Sequence, residues 1–404
     1  MTRANPSPRA PRGVAGRRLP LDVAPAVSAI GLVIVALVSF ALLGGALPKI
    51  PGSGGDQNGG PIRTPTPSNL IVVDPRSHVP GSLLYVKDGN IWIQSGSDAH
   101  QITSGGQDSM PTWSADGTSI YFVRMKAESG RWPSGGTIHT YNLQVPSLLR
   151  MNADGTGQSV VLLTGRVKQG SNTWSYFIRE PSITADGTTA AIVTDGPDPT
   201  VSDIVVKLLD IATGKLTNPH LPESESLGHQ DPAWSPDGKT LLYVRNAREG
   251  ARGTPAIYRY NLASGKSTAL TGAGYTAPAW SHDGRYVAAT LTSTFGTDVV
   301  ILDAGTGSEL LRVTNDESSF SPVWSPKGDA IAFFRVEHGV VDLYMVPLVG
   351  AAPRWTLGTP LPLTISAGLD GASRPTWFIP ADQLPLPATP TPFAPAPASA
   401  AATP

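Results

Sequence analysis

Three arginines and a lysine stand at one recurring place in this chain. Arg124, Arg245 and Arg335 each lie eleven residues after a tryptophan, in "PTWSADGTSIYFVR", "PAWSPDGKTLLYVR" and "PVWSPKGDAIAFFR", and Lys87 ends the matching run "LLYVK". Thr194 and Leu291 fill the same place in two further copies. A second set, Asp108, Glu180, His229, Asp231 and Asp370, precedes the repeated prolines by one to five residues. Cations gathered on one surface would take carboxylate or phosphate groups. The pattern therefore predicts a partly basic ligand-binding funnel of Lys87, Arg124, Arg245, Arg335, Asp108 and His229, for an acidic peptide, glycan or phosphate-bearing partner. The blander alternative is that the basic residues end strands and pair with those carboxylates.

Other chemistries find less support. The seven histidines, His78, His100, His139, His220, His229, His282 and His338, show no His-x-His or His-Glu-x-x-His spacing. The oxygen-rich "NADGTG" at 152 lacks the distal Glu of a calcium loop, so Asn152, Asp154 and Gly155 are expected to make a tight turn. The loop "TDGPDPTVSD", with Asp195, Asp198 and Asp203, reads as a solvated acidic loop. No Gly-x-Ser-x-Gly elbow or phosphate-binding loop occurs, and "GSGG" at 52 has linker composition. With no cysteine, disulfides, thiol catalysis and a lipid-modified cysteine are all absent. No catalytic residue, metal or cofactor is expected.

The elements that must position these residues follow from a repeat. Trp113, Trp234, Trp280, Trp324 and Trp377, with Ile183 in a sixth copy, recur at intervals of 70, 51, 46, 44 and 53 residues. Each follows a proline by two residues: Pro111, Pro181, Pro232, Pro278, Pro322 and Pro375. Proline suits the first residue of a strand because it cannot donate to a ladder. The Ser-x-Asp-Gly that follows supplies turn residues, with Gly117, Gly187, Gly238 and Gly284 free to take positive φ. Continuous apolar runs such as "LLYV" and "IAFF" then read as strands covered on both faces. A second hairpin follows in each copy, which makes four strands per repeat. The long first interval predicts an insertion of roughly residues 125–145. Trp113, Ile183, Trp234, Trp280, Trp324 and Trp377 are expected as structural wedges between repeats, because an isoleucine can fill a packing site but cannot stack a ligand as an aromatic ring does.

One copy is split. "LLYV" at 83 and "IWIQSGSDAHQIT" at 91 lack a Pro-x-Trp strand before them, whereas Trp377 lacks three strands after it. Joining the two closes a ring of six. "PAWSPDGKTLLYVR" and "MNADGTGQ…LT" resemble the repeats of TolB-like six-bladed β-propellers, relatives of WD repeats, over about residues 83–379. The resemblance implies an all-β six-bladed β-propeller closed between N- and C-terminal strands. It does not extend to the separate N-terminal α/β domain of TolB.

The domain organisation expected is a basic cytoplasmic segment (1–22), a transmembrane signal-anchor helix (23–47), a flexible linker (48–69), the propeller (70–380) and a disordered Pro/Ala-rich tail (381–404). Arg3, Arg9, Arg12, Arg17 and Arg18 precede a span with no charge between Asp22 and Lys49. That span is long enough to cross a bilayer, for which about 20 residues suffice. The positive-inside rule then puts everything after it on the extracytoplasmic side. A net charge of −1 and 15% charged residues exclude a general nucleic-acid role. The resulting expectation is a membrane-anchored, non-catalytic binding or scaffold module whose partner is an envelope protein, peptide or glycan. The alternative is a lyase or hydrolase acting on a cell-surface polysaccharide or peptide.

Overall fold

The fold is described from a computed structural model covering residues 74–384, except 158, 199–203, 223–227 and 250–251; of 247–254 only the backbone of the strand residues is described. The basic segment, the expected membrane helix, the linker up to residue 69 and the tail beyond 384 lie outside the described residues. Among the described residues no helix is long and apolar enough to cross a membrane. Two short 3-10 turns, Pro75–His78 and Ala381–Gln383, flank a structure otherwise made of strands.

Six antiparallel sheets follow one another as blades. The first blade is composite: Thr376–Phe378, from the C-terminal end, pairs with Ser82–Lys87, followed by Asn90–Ser95 and Asp98–Gln101. Leu83 stands opposite Trp377, so the ring closes as the split repeat predicts and two exposed edges are removed. The first strands of the remaining blades are Asp108–Trp113, Arg179–Ile183, His229–Trp234, Tyr275–Trp280 and Ser319–Trp324. Each is followed outward by its partner from the same repeat.

The core is six inter-blade clusters, and every wedge position falls in or against a different one. Trp377 packs between blades six and one, Trp113 against the cluster of blades one and two, and Ile183 against that of two and three. Trp234, Trp280 and Trp324 occupy the next three in order. The second strands explain the continuous apolar runs: Leu83 and Tyr85 face one neighbouring blade while Leu84 and Val86 face the other. Alternation of side chains along the strand thus buries both faces.

In blades two to five the turns after the wedges share one hydrogen-bond pattern, whereas in blade six Ser325 Oγ donates to Asp329 Oδ1 instead. Ser235 Oγ donates to Asp237 Oδ1 (2.6 Å) and accepts the Thr240 N–H (2.9 Å). Thr184 does the same with Asp186 and Thr189. These bonds hold the Asp116, Asp186 and Asp237 carboxyls below the usual range, chiefly through the Ser or Thr hydroxyl. Asp154 likewise accepts from the Thr156 backbone and hydroxyl in a tight turn.

The insertion is larger than the sequence suggests. Blade two's central strands run Ser119–Ser134 and Thr137–Asn152, and their pairing continues unbroken from Ser119↔Asn152 to Ser134↔Thr137. A further hairpin, Arg166–Gln169 with Asn172–Ser175, pairs onto it through Arg131↔Thr173. Its Gly-Ser turn between short polar-apolar runs was a legible but weak signal.

Candidate binding site

Each first strand runs from one face of the ring, here the mouth face, to the Asp-Gly turns on the opposite, turn face. In blades two to six the register shifts just where the repeated proline stands, as between Ser109 and Thr112 or Gln230 and Ala233. The residue before that proline is left-handed in all five: Met110 (φ 53°), Glu180 (53°), Asp231 (52°), Ala277 (50°) and Ser321 (51°). Such a conformation in a non-glycine residue costs about 1–3 kcal/mol and persists only where its surroundings hold it. Here the hold is a chain of hydrogen bonds from blade to blade. Met110 N donates to Ser373 Oγ (3.0 Å), Glu180 N to Met110 Sδ (3.2 Å), Asp231 N to Glu180 Oε2 (2.7 Å) and Ala277 N to Asp231 Oδ2 (2.8 Å). Ala277 has no acceptor to pass on, and Ser321 N donates instead to Thr290 Oγ1 (3.0 Å).

Arg374 precedes the sixth proline, in blade one, and reaches the opposite side of this ring. Its guanidinium stands 3.7 Å from Asp231 Oδ1 in blade four and donates to Pro278 O in blade five (2.7 Å). The ring is therefore crossed by a charged bar. Burial, then the neighbouring Asp231 charge, push the Glu180 carboxyl up to about 7. From the ring to the turns runs a channel of about 450 Å³ lined by the six prolines and the wedge residues. Its walls are largely apolar and its ionic end is Glu180 and Arg374, the latter held beside Asp231. Sequence reasoning placed Glu180 and Asp231 near the mouth but missed Arg374 and the ring itself. The pre-proline residues differ in every copy, so only their shared backbone conformation reveals them.

The structure places the four basic positions at the mouth end, each opposite or beside the start of a first strand: Arg124 with Asp108, Arg245 with His229, Arg335 with Ser319, and Lys87 with Leu369. Asp108, 2% exposed, takes both arms of Arg124, Nε at 2.6 Å and Nη2 at 2.8 Å. Arg335 meets Asp316 at 2.6 Å and lies over the Tyr344 ring, 4.5 Å from its centroid. Arg245 donates to the Tyr258 hydroxyl (3.3 Å). His229, 1% exposed, lies 2.8 Å from Pro222 O through Nε2 and edge-on to Tyr243. Lys87 lies over Trp92, with Nζ 5.8 Å from the ring centroid. Of the expected funnel, Arg124 with Asp108 and Arg335 with Asp316 thus form the strand-end ion pairs of the blander alternative. Among the described residues no group of three or more His, Asp or Glu could hold a metal ion.

Six antiparallel blades around a wedge-lined channel define a β-propeller, and comparison with known proteins shows what it is similar to. Residues 162–355 match the family described as TolB beta propeller domain (PD40). Among solved structures, TolB from Acinetobacter baumannii is 19% identical with a TM-score of 0.52, over 74% of this chain and 66% of that one. A putative TolB from Agrobacterium tumefaciens is 19% identical with a TM-score of 0.50, over 72% of this chain and 91% of that one. The chain spans a little under two thirds of the first. The fold is a six-bladed propeller, and residues 162–355 of it are similar to the TolB propeller repeat.

Proposed function

We propose that this protein is a non-catalytic binding or scaffold propeller, held in a membrane by residues 23–47 and displayed on the extracytoplasmic side. Its partner would be an envelope protein, peptide or glycan. The observation that carries this reading is the use of the mouth's ionisable groups. Arg124, Asp108, Arg335 and Asp316 hold strand ends together, so the chemistry at this face is cohesion rather than turnover. Topology supports it. The chain enters blade one at Ser82 and leaves it at Phe378, paired residues at the turn face, while the insertion extends past Arg124 at the mouth face. The enzymatic alternative rests on Glu180 and Asp231, a carboxyl pair whose raised member titrates near neutrality.

The test uses the full chain, with and without residues 23–47, in intact cells. Carbonate-resistant membrane association that needs 23–47, together with cleavage of the propeller by external protease, is the expected result. A soluble or protease-protected propeller overturns the location. Turnover of a polysaccharide or peptide substrate that Glu180→Gln abolishes overturns the non-catalytic reading.

A further inference from the structure

After closing blade one the chain returns to the channel. Phe378, Ile379 and Leu384 line it at the turn-face end, beside Ala115 and Ala185 of the Asp-Gly turns, whereas residues 380–383 do not. Leu384 also packs against the core cluster of Trp377 and Ile379, so the chain is held at the channel's rim at its last described residue. Its backbone there, φ −80° and ψ 148°, is that of a polyproline II helix. Proline follows at 385, and a residue before proline is confined to the extended and polyproline II region.

The channel wall narrows the occupant. Of its lining residues only Glu180, Arg374 and His282 can carry a charge, and the first two stand at the mouth-face end; proline, tryptophan and other uncharged side chains make the rest. Residues 385–404, "PLPATPTPFAPAPASAAATP", contain no Asp, Glu, Lys, Arg or His. Proline-rich segments dock in aromatic-lined grooves because the polyproline II helix is already formed and little entropy is lost. Size agrees. The volume of about 450 Å³ falls within the roughly 300–1,000 Å³ of ligand pockets, which suits a short stretch of chain and not a folded domain. A six-residue first strand such as Asp108–Trp113 makes the wall about 20 Å deep. At about 3.1 Å per residue, a polyproline II segment of about six or seven residues crosses it.

We propose that the chain's own proline-rich segment, residues 385–393, turns into the channel from the turn face and fills its apolar length up to the Arg374 bar. The segment is an internal ligand: it covers the wall of prolines and tryptophans, and a partner then meets the mouth face of the ring rather than its bore. The inference goes beyond the binding role proposed above and holds with or without a membrane anchor.

The test compares the full chain in detergent with its Leu386→Asp variant, whose carboxylate an apolar channel excludes. Chymotrypsin should cut after Phe393 about tenfold or more faster in the variant, because cleavage follows the fraction of chains whose segment is released. In calorimetric titration a synthetic peptide of residues 385–404 should bind the variant, and the native chain about tenfold or more weakly, since the tethered segment competes at high effective concentration. Ala185→Trp, added to the variant to narrow the turn-face end, should weaken the peptide. An unchanged thermal midpoint in these variants excludes misfolding. Equal cleavage of the two chains, absence of peptide binding to the variant, or peptide affinity indifferent to Ala185→Trp overturns the proposal. So does a native chain that takes decaproline as tightly as the variant does, since its channel then stands open for a partner's proline-rich segment.

Discussion

Glu180 Oε2 accepts the backbone N–H of Asp231 at 2.7 Å across the boundary between blades three and four. The acceptor is the side chain of one strained pre-proline residue and the donor is the backbone of the next. The bulge in each first strand is thereby fixed by the neighbouring blade rather than by its own.

Burial of that carboxyl beside the Asp231 charge gives the propeller a pH dependence. The Glu180 carboxyl, ordinarily near 4.5, is pushed up to about 7, so the folded protein holds this proton more tightly than the unfolded chain does. Its contribution is complete below about pH 4.5 and is lost as pH rises to about 7. Urea midpoints measured across that window should fall for the native protein, and more gently for Glu180→Gln. The turn carboxylates act in another range: their lowered values give stability that is present above about pH 4 and lost on further acidification.

The Arg124–Asp108 pair should respond asymmetrically. Asp108 is 2% exposed whereas the Arg124 side chain is 37% exposed. Arg124→Met strands a buried carboxylate and should cost about 3 kcal/mol in urea unfolding. Asp108→Asn leaves a guanidinium that water can reach and should cost about 1 kcal/mol.

The turn hydroxyl is interchangeable between serine and threonine but not dispensable. Ser235→Ala removes the donor to Asp237 and the acceptor of Thr240 N–H, with an expected loss of about 1 kcal/mol. Ser235→Thr should be close to neutral, since Thr184 makes the same bonds in blade three. Thermal unfolding of the two variants side by side checks this.

The two kinds of tryptophan should separate by stability. Trp324, 4% exposed in the cluster of blades five and six, should cost about 3–5 kcal/mol when truncated to alanine. Trp132, 37% exposed on the insertion and edge-on to Trp174, should cost about 1 kcal/mol, chiefly through that ring contact. Denaturant titration of both variants reads the difference.

The sequence alone determined the ring: six Pro-x-Trp/Ile strands, the Ser/Thr-x-Asp turns, the doubly covered second strands, and closure through Trp377 and Leu83. These are local or periodic properties, since proline, turn residues and unbroken apolar runs act within a few positions of themselves. The tertiary structure decided what those positions do at the site. For Arg124 the sequence left open a ligand-binding cation or a strand-end partner, and Asp108, sixteen residues earlier and on both its arms, decided for the second. Arg374 carried no signal at all, because its partners Asp231 and Pro278 lie 143 and 96 residues away in the chain and meet it only where the ring brings opposite blades together. The ring contact on the insertion was equally hidden: Trp132 and Trp174 become neighbours only through the pairing of Arg131 with Thr173. Packing within a repeat is written in the repeat, whereas contacts across the ring depend on where closure places each blade.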